Sequence, residues 1–218
     1  MKTRDRIIER AIDMFNEKGA ANVRTVQLSE ALGISPGNLY YYFINKEHLI
    51  RSIFEEEIMP NTDMLFMRED LSHSENGILK FFKDYTKAIY RYRFFYAETY
   101  AMLITDPELL EIYNPRCENL KERLMTAVDS WVETGIIEEI TDTMKEFLVE
   151  NLWTVGQTWP HYIEIVKGEH DPEKITKETV LHYFTIISPY LTVPARNRMI
   201  VLLKKKGFAG EHNLDDMH

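Results

Sequence analysis

TVQLSEALGISPGNLYYYFINKEHL, residues 25–49, is the stretch that decides the architecture. Leu28, Ala31 and Leu32 recur at helical spacing, and Thr25 stands where an N-cap belongs. Gly33-Ile34-Ser35 then reads as a tight turn. Ser35 followed by Pro36 is a cap followed by proline at the first helical position. Pro36 to Phe43 forms a second short helix, and Asn45 starts the next one. Two short helices joined by a glycine-containing turn are the helix-turn-helix arrangement.

Upstream, Thr3 to Lys18 places Ile7, Ile8, Ala11, Ile12 and Phe15 on one helical face, and Gly19 stops the helix. Leu28, Ala31, Leu32, Ile34, Leu39 and Phe43 are predicted to bury against Ile8, Ile12 and Phe15. That leaves Thr25, Ser35, Pro36, Gly37, Asn38, Tyr40, Tyr41, Tyr42 and Lys46 outside. Three consecutive tyrosines cannot all face one core, so at least one is exposed. Small residues at the tip of the second helix let its backbone approach a DNA major groove. Free N–H groups there favour phosphate. Tyrosine hydroxyls and Lys46 bond phosphate oxygens, fixing register without reading sequence. Asn38 either pairs with an adenine edge or only caps or bonds phosphate; Tyr41 can touch a thymine methyl. Gln27 joins this set if it faces the groove.

Downstream the chain also reads as helix, so the fold class is all-α. The fourth helix carries Leu49, Ile50, Ile53, Phe54 and Ile58 on its apolar face, with Pro60 ending or kinking it. Capping boxes at Ser72–Glu75 and Thr143–Glu146, and the Asp106-Pro107 and Asp171-Pro172 pairs, mark helix starts. Helices follow near 75–93, 95–104, 107–134, 142–166, 173–191 and 195–205, with local kinks or ends at Pro115, Pro160 and Pro189. The expected division is a three-helix head over 1–48, a helical regulatory and dimerisation part over 49–206, and a flexible tail over 207–218.

Composition narrows the class. The net charge is −9, yet residues 1–54 carry eight Lys/Arg against six Asp/Glu. An acidic whole opposes indiscriminate nucleic-acid binding but permits a small local DNA-docking surface. No run reaches the ~20 apolar residues of a membrane span. The start has no uninterrupted apolar signal stretch, and a single cysteine, Cys117, fits a reducing cytoplasm. No two-histidine helical pair implies zinc, and no P-loop, dinucleotide fingerprint or nucleophile elbow is present. The chain is therefore expected to be no enzyme and to need no metal or cofactor.

Residues 25–49, with the Leu39-Tyr40-Tyr41-Tyr42-Phe43 core and with Lys46 and Leu49 at these offsets, resemble the DNA-binding domain of the tetracycline-repressor (TetR) family. Tyr42 stands where histidine is common, and Val26 where some members carry a base-contacting arginine. The later stretch Arg93-Phe94-Phe95-Tyr96, with Leu103, Asp106–Leu109 and Tyr113, is similar to one subgroup of the family. The resemblance implies a cytoplasmic homodimeric repressor that binds a palindromic double-stranded operator. It also implies a small-molecule effector held in the helical core and dimerisation through the last two long helices. The alternative is an all-helical sensor or structural module with a vestigial head.

Aromatic residues are dense over 75–166 and can line a mostly apolar cavity. The candidate effector pocket is Phe81, Tyr85, Phe95, Tyr100, Trp131, Trp153 and Trp159, with Glu98 and Asp129 either supplying negative charge or lying at the surface. Phe147, Leu148, Leu152, Val180, Tyr183, Phe184 and Ile187 supply apolar residues for a dimer interface, shared with the subunit's own core.

Overall fold

The computed structural model describes residues 2–68, 71, 73–209 and 214. The helices are α1 (Thr3–Lys18), α2 (Thr25–Leu32), α3 (Pro36–Tyr42), α4 (Lys46–Ile53), α5 (Met59–Phe66), α6 (Glu75–Arg91), α7 (Arg93–Thr105), α8 (Pro107–Glu133), α9 (Asp142–Val166), α10 (Pro172–Ile187) and α11 (Val193–Lys205). Short 3-10 turns cover Ala20–Asn22 and Ser188–Tyr190. The described residues contain no strand, only one isolated bridge between Ile137 and Leu191.

Several helix limits follow from local chemistry. Asp106, Asp171 and Thr192 each accept a backbone N–H at the start of the helix that follows them. Pro189 stops α10 at Ile187 and turns the chain into a 3-10 segment. Pro115 and Pro160, by contrast, lie inside helices that continue past them. Pro60 does not end its helix either. A π-helical turn at Phe54–Ile58 precedes it, and the helix resumes as α5. The wide turn accommodates the carbonyl that a proline ring cannot bond. Two expected caps are displaced. Thr25 is the first residue of α2, and Thr141 rather than Thr143 caps α9, accepting from the Met144 N–H at 3.2 Å. Ser72 lies outside the described residues, while Ser74 accepts the Gly77 N–H at 3.1 Å.

The chain divides into two compact units. The first comprises Met1–Thr62 and Arg91–Asn114. Its core gathers Ile7, Phe15, Leu28, Leu39, Phe43, Phe54, Tyr92 and Phe95. Phe54 stacks on Phe95 with ring centroids 5.0 Å apart, and Phe15 meets Phe94 at 5.1 Å. Burying each such ring contributes about 1.5–3 kcal/mol. Helix α7 is held at three points. The Asn16 side-chain amide donates to the Arg91 carbonyl at 2.9 Å and accepts from the Phe94 N–H at 3.1 Å. Glu98 accepts the Ala20 and Ala21 N–H groups at 2.7 and 3.2 Å. At its C-terminal end, Arg51 of α4 donates to both oxygens of Asp106, at 2.7 and 2.6 Å. Helix α7 is thereby fastened to α1, to the turn after it, and to α4.

The second unit comprises Asp63–Tyr90 and Pro115–His218. Helices α9 and α10 pack closely, and Gly156 of α9 lies against the Tyr183 side chain of α10. Phe82 stacks on Tyr183 at 4.3 Å, and the fully buried Trp131 donates its indole N–H to the Leu71 carbonyl at 2.8 Å. The loop after α8 is clipped to the loop after α10 by Glu138 N–H to Tyr190 O and Thr192 N–H to Ile136 O. Within the expected tail, Phe208 and Leu214 are buried, whereas residues 210–213 and 215–218 lie outside the described set.

Candidate nucleic-acid interface

The turn between α2 and α3 is built from two backbone devices. Gly33 takes φ +67°, and the Ile34 and Gly33 N–H groups return to the Ser29 and Glu30 carbonyls at 3.0 and 3.1 Å. This is the Schellman closure, which needs a left-handed residue. Ser35 then caps α3, its hydroxyl accepting from the Asn38 N–H at 3.2 Å. Leu28, Leu39 and Phe43 are buried, Leu32 and Ile34 half-buried. Ala31 is exposed, which corrects its placement in the core: it stands about 60° around α2 from Leu28, at the edge of the buried face.

One surface therefore collects Ser35, Pro36, Gly37 and Asn38, all exposed, with Tyr40 and Tyr41 at 46% and 83% exposure. Tyr42 is half-buried and meets Tyr41 edge-on at 5.1 Å. The three tyrosines thus serve three purposes: Tyr41 is open, Tyr40 is tethered, and Tyr42 packs on the core. The tether is a 2.8 Å hydrogen bond between the Tyr40 hydroxyl and Thr25 Oγ1. Whichever of the two donates, the other keeps its proton, so the pair can still donate to one phosphate oxygen. Gln27 is half-buried, and its Oε1 accepts the Arg24 N–H at 2.9 Å, which leaves its amide NH2 as a donor.

Lys46 lies differently from the expectation of a free cation. Its Nζ donates to the Ala20 and Val23 carbonyls at 2.8 and 3.4 Å, holding the turn before α2. The same turn is gripped from α7 by Glu98. Sequence reasoning missed the exposed apolar Ile44 just past α3, and gave no contact role to Val26, exposed at the start of α2. Neither position carries a local signal, because exposure there depends on how α1 and α4 pack.

The seven candidate pocket residues are not brought together. Phe81 and Tyr85 stack at 5.6 Å and, with Trp153, Phe66 and Tyr183, line a cavity of only about 10 Å³, space for about one water. Burial raises the Tyr85 and Tyr183 hydroxyl pKa values, so both stay neutral. Trp131 is core, and Trp159 stacks on Tyr162 at 4.7 Å beside His182. Phe95 and Tyr100 belong to the other compact unit, where Phe95 is core and Tyr100 is 80% exposed, because α7 packs on α1. Glu98 accepts the Ala20 and Ala21 N–H groups, and Asp129 accepts from Lys145. Among the expected interface residues, Leu148, Leu152, Val180, Tyr183, Phe184 and Ile187 are buried in their own unit, and Phe147 alone is exposed.

Among the described residues no helix is long and apolar enough to cross a membrane. A profile of bacterial regulatory proteins of the tetR family matches residues 7–53, and one for the TetR bacterial transcriptional repressor matches 61–199. The biofilm operon icaADBC negative transcriptional regulator IcaR of Staphylococcus epidermidis is 31% identical over 107 residues, 49% of this chain and 56% of IcaR. The chain thus spans little more than half the length of that relative. The transcriptional regulator RutR of Escherichia coli O157:H7 is 27% identical over 74% of this chain and 77% of its own. A TetR-family transcriptional regulator from Marinobacter aquaeolei VT8 superposes with a TM-score of 0.85 at 28% identity, covering 94% of this chain and 98% of the other.

Proposed function

Because this chain belongs to the TetR family of bacterial transcriptional repressors, we propose that it is a cytoplasmic repressor that binds a palindromic operator as a homodimer and is released by a small molecule. Its family and relatives are transcriptional regulators, not enzymes. The observation that carries the DNA reading is the single exposed surface of Ser35, Pro36, Gly37, Asn38, Tyr40 and Tyr41, backed by a fully buried core. Ser35, Gly37 and the Thr25–Tyr40 pair take phosphates, while Asn38, Tyr41 and Gln27 face base edges; Lys46 and Tyr42 flank them. DNA contact falls to residues 1–48, and dimerisation and the regulatory bundle to 49–206.

A single short recognition helix reads few base pairs, so two are needed. Helix α9 supports pairing, since Phe147, Tyr162 and Ile165 are exposed apolar residues within about 60° of one another around it. The effector site is assigned to the Phe81–Tyr85–Trp153 cluster, whose cavity of about 10 Å³ must widen to admit an effector. Selection of duplexes from a random pool by the purified protein tests the reading. It should enrich an inverted repeat whose half-sites are ~34–36 Å apart or a multiple of that; a pool that stays random contradicts it.

A further inference from the structure

One cavity lies wholly within the first unit. It holds about 240 Å³ beside the Ala20–Asn22 turn, α4 and α7. Ligand sites typically span about 300–1,000 Å³, so its occupant is small. Its floor is apolar and buried: Ile50, Met102 and Leu109. Its charged lining is three carboxylates, Glu47, Glu98 and Asp106, against one ammonium, Lys46.

These charges are unequally engaged. Asp106 is neutralised by Arg51, and Lys46 already donates to two carbonyls. Among the described residues Glu98 accepts two backbone N–H groups, one on each oxygen, which leaves lone pairs on both. Glu47 is exposed and forms no ion pair among the described residues. The unspent charge is therefore negative, over an apolar floor.

We propose that this cavity is a ligand site for a small organic ammonium, its apolar body on Ile50, Met102 and Leu109 and its charge toward Glu47 and Glu98. The occupant touches Lys46 and Glu98, the two side chains that grip the turn before α2. It therefore acts on the helix-turn-helix directly rather than through the regulatory bundle. The site stands on the cavity, and only its effect on transcription rests on the proposed DNA binding.

The test is a titration of the full chain, without DNA, by NMR with three matched probes: phenethylammonium, phenethyl alcohol and 3-phenylpropionate. The ammonium binds tightest. Glu47→Gln weakens it by about twofold to fivefold, the range for an exposed charge pair. Ala101→Phe, at an exposed lining position, abolishes binding; Ala101→Met is the milder variant if the first fails to fold. Bound ammonium also changes hydrogen exchange at the Ala20 and Ala21 amides. The proposal is overturned if no probe binds at millimolar concentration, if the carboxylate binds as well as the ammonium, if filling the cavity leaves binding intact, or if exchange at those amides stays the same. None of these outcomes depends on operator binding, so failure here leaves the repressor reading standing.

Discussion

Gly156→Ala should destabilise the second unit, although it replaces glycine with the best helix former inside a helix. A methyl group at Gly156 would lie 2.1 Å from the Tyr183 hydroxyl oxygen, 3.0 Å from Tyr85 Cε1 and 3.2 Å from Tyr183 Cζ. Ordinary contact begins near 3.4 Å, so the hydroxyl must retreat by more than 1 Å. It has nowhere to go, because Tyr183 is buried and stacked on Phe82 at 4.3 Å. Overpacking a filled core costs about 1–3 kcal/mol, and a clash this deep belongs at the top of that range. Helix propensity returns about 1 kcal/mol. The net is a loss of about 2 kcal/mol, or a Tm lowered by roughly 4–8 °C at this size. Tyr183→Phe in the same background removes the nearest atom but leaves Cζ, and should recover about 1 kcal/mol. Urea and thermal unfolding followed by circular dichroism measure both. A Gly156→Ala protein stabilised by about 1 kcal/mol, as propensity alone demands, would refute the packing of α9 on α10 described above.

Three further outcomes follow from the geometry. Lys46→Ala removes a cation that grips the turn before α2, so it should lower Tm slightly without DNA and reduce the log-affinity versus log-salt slope by about 0.9; an unchanged slope with a lowered Tm would confine Lys46 to holding the turn. Asn38→Ala and Tyr41→Ala should each relax base discrimination in every half-site, by roughly 1–3 kcal/mol for Asn38, with little change in Tm because both side chains are exposed; uniform weakening on all duplexes would demote them to backbone contacts. Tyr85 and Tyr183 have folded pKa values raised by burial, so their contribution is present below the unfolded value of about 10 and is lost as pH rises through the folded values. The Tm between pH 9 and 11.5 should therefore fall less steeply in Tyr85→Phe than in the parent; equal slopes would contradict the burial.

What the sequence revealed was mostly local. Gly33, Ser35 and Pro36 specify a turn and a helix start within four residues, and they stand where read. Asp106 and Asp171 act the same way. The displaced caps show the limit of such signals: Thr141 and Thr143 are both acceptable, and packing of α9 selects the first. Hydrophobic periodicity located the faces of α9 and α10 but not what covers them. Val180 and Phe184 look alike whether they meet their own core or a partner's, and they meet their own. Aromatic density similarly failed to separate Phe95, which packs on Phe54, from Phe81 and Tyr85 in the other unit. The grips of Asn16, Glu98 and Arg51 on distant backbone and carboxylate groups left no trace in the sequence, because each joins residues far apart in the chain.

The direct test of a sequence-reading DNA surface on α2 and α3 is the affinity of the purified protein for its selected duplex and for a scrambled duplex of equal length, across a salt series. A dimeric helix-turn-helix protein should prefer the selected duplex by about 10³ or more at physiological salt, with both affinities falling steeply as salt rises. Equal affinity for the two duplexes at every salt concentration would contradict it.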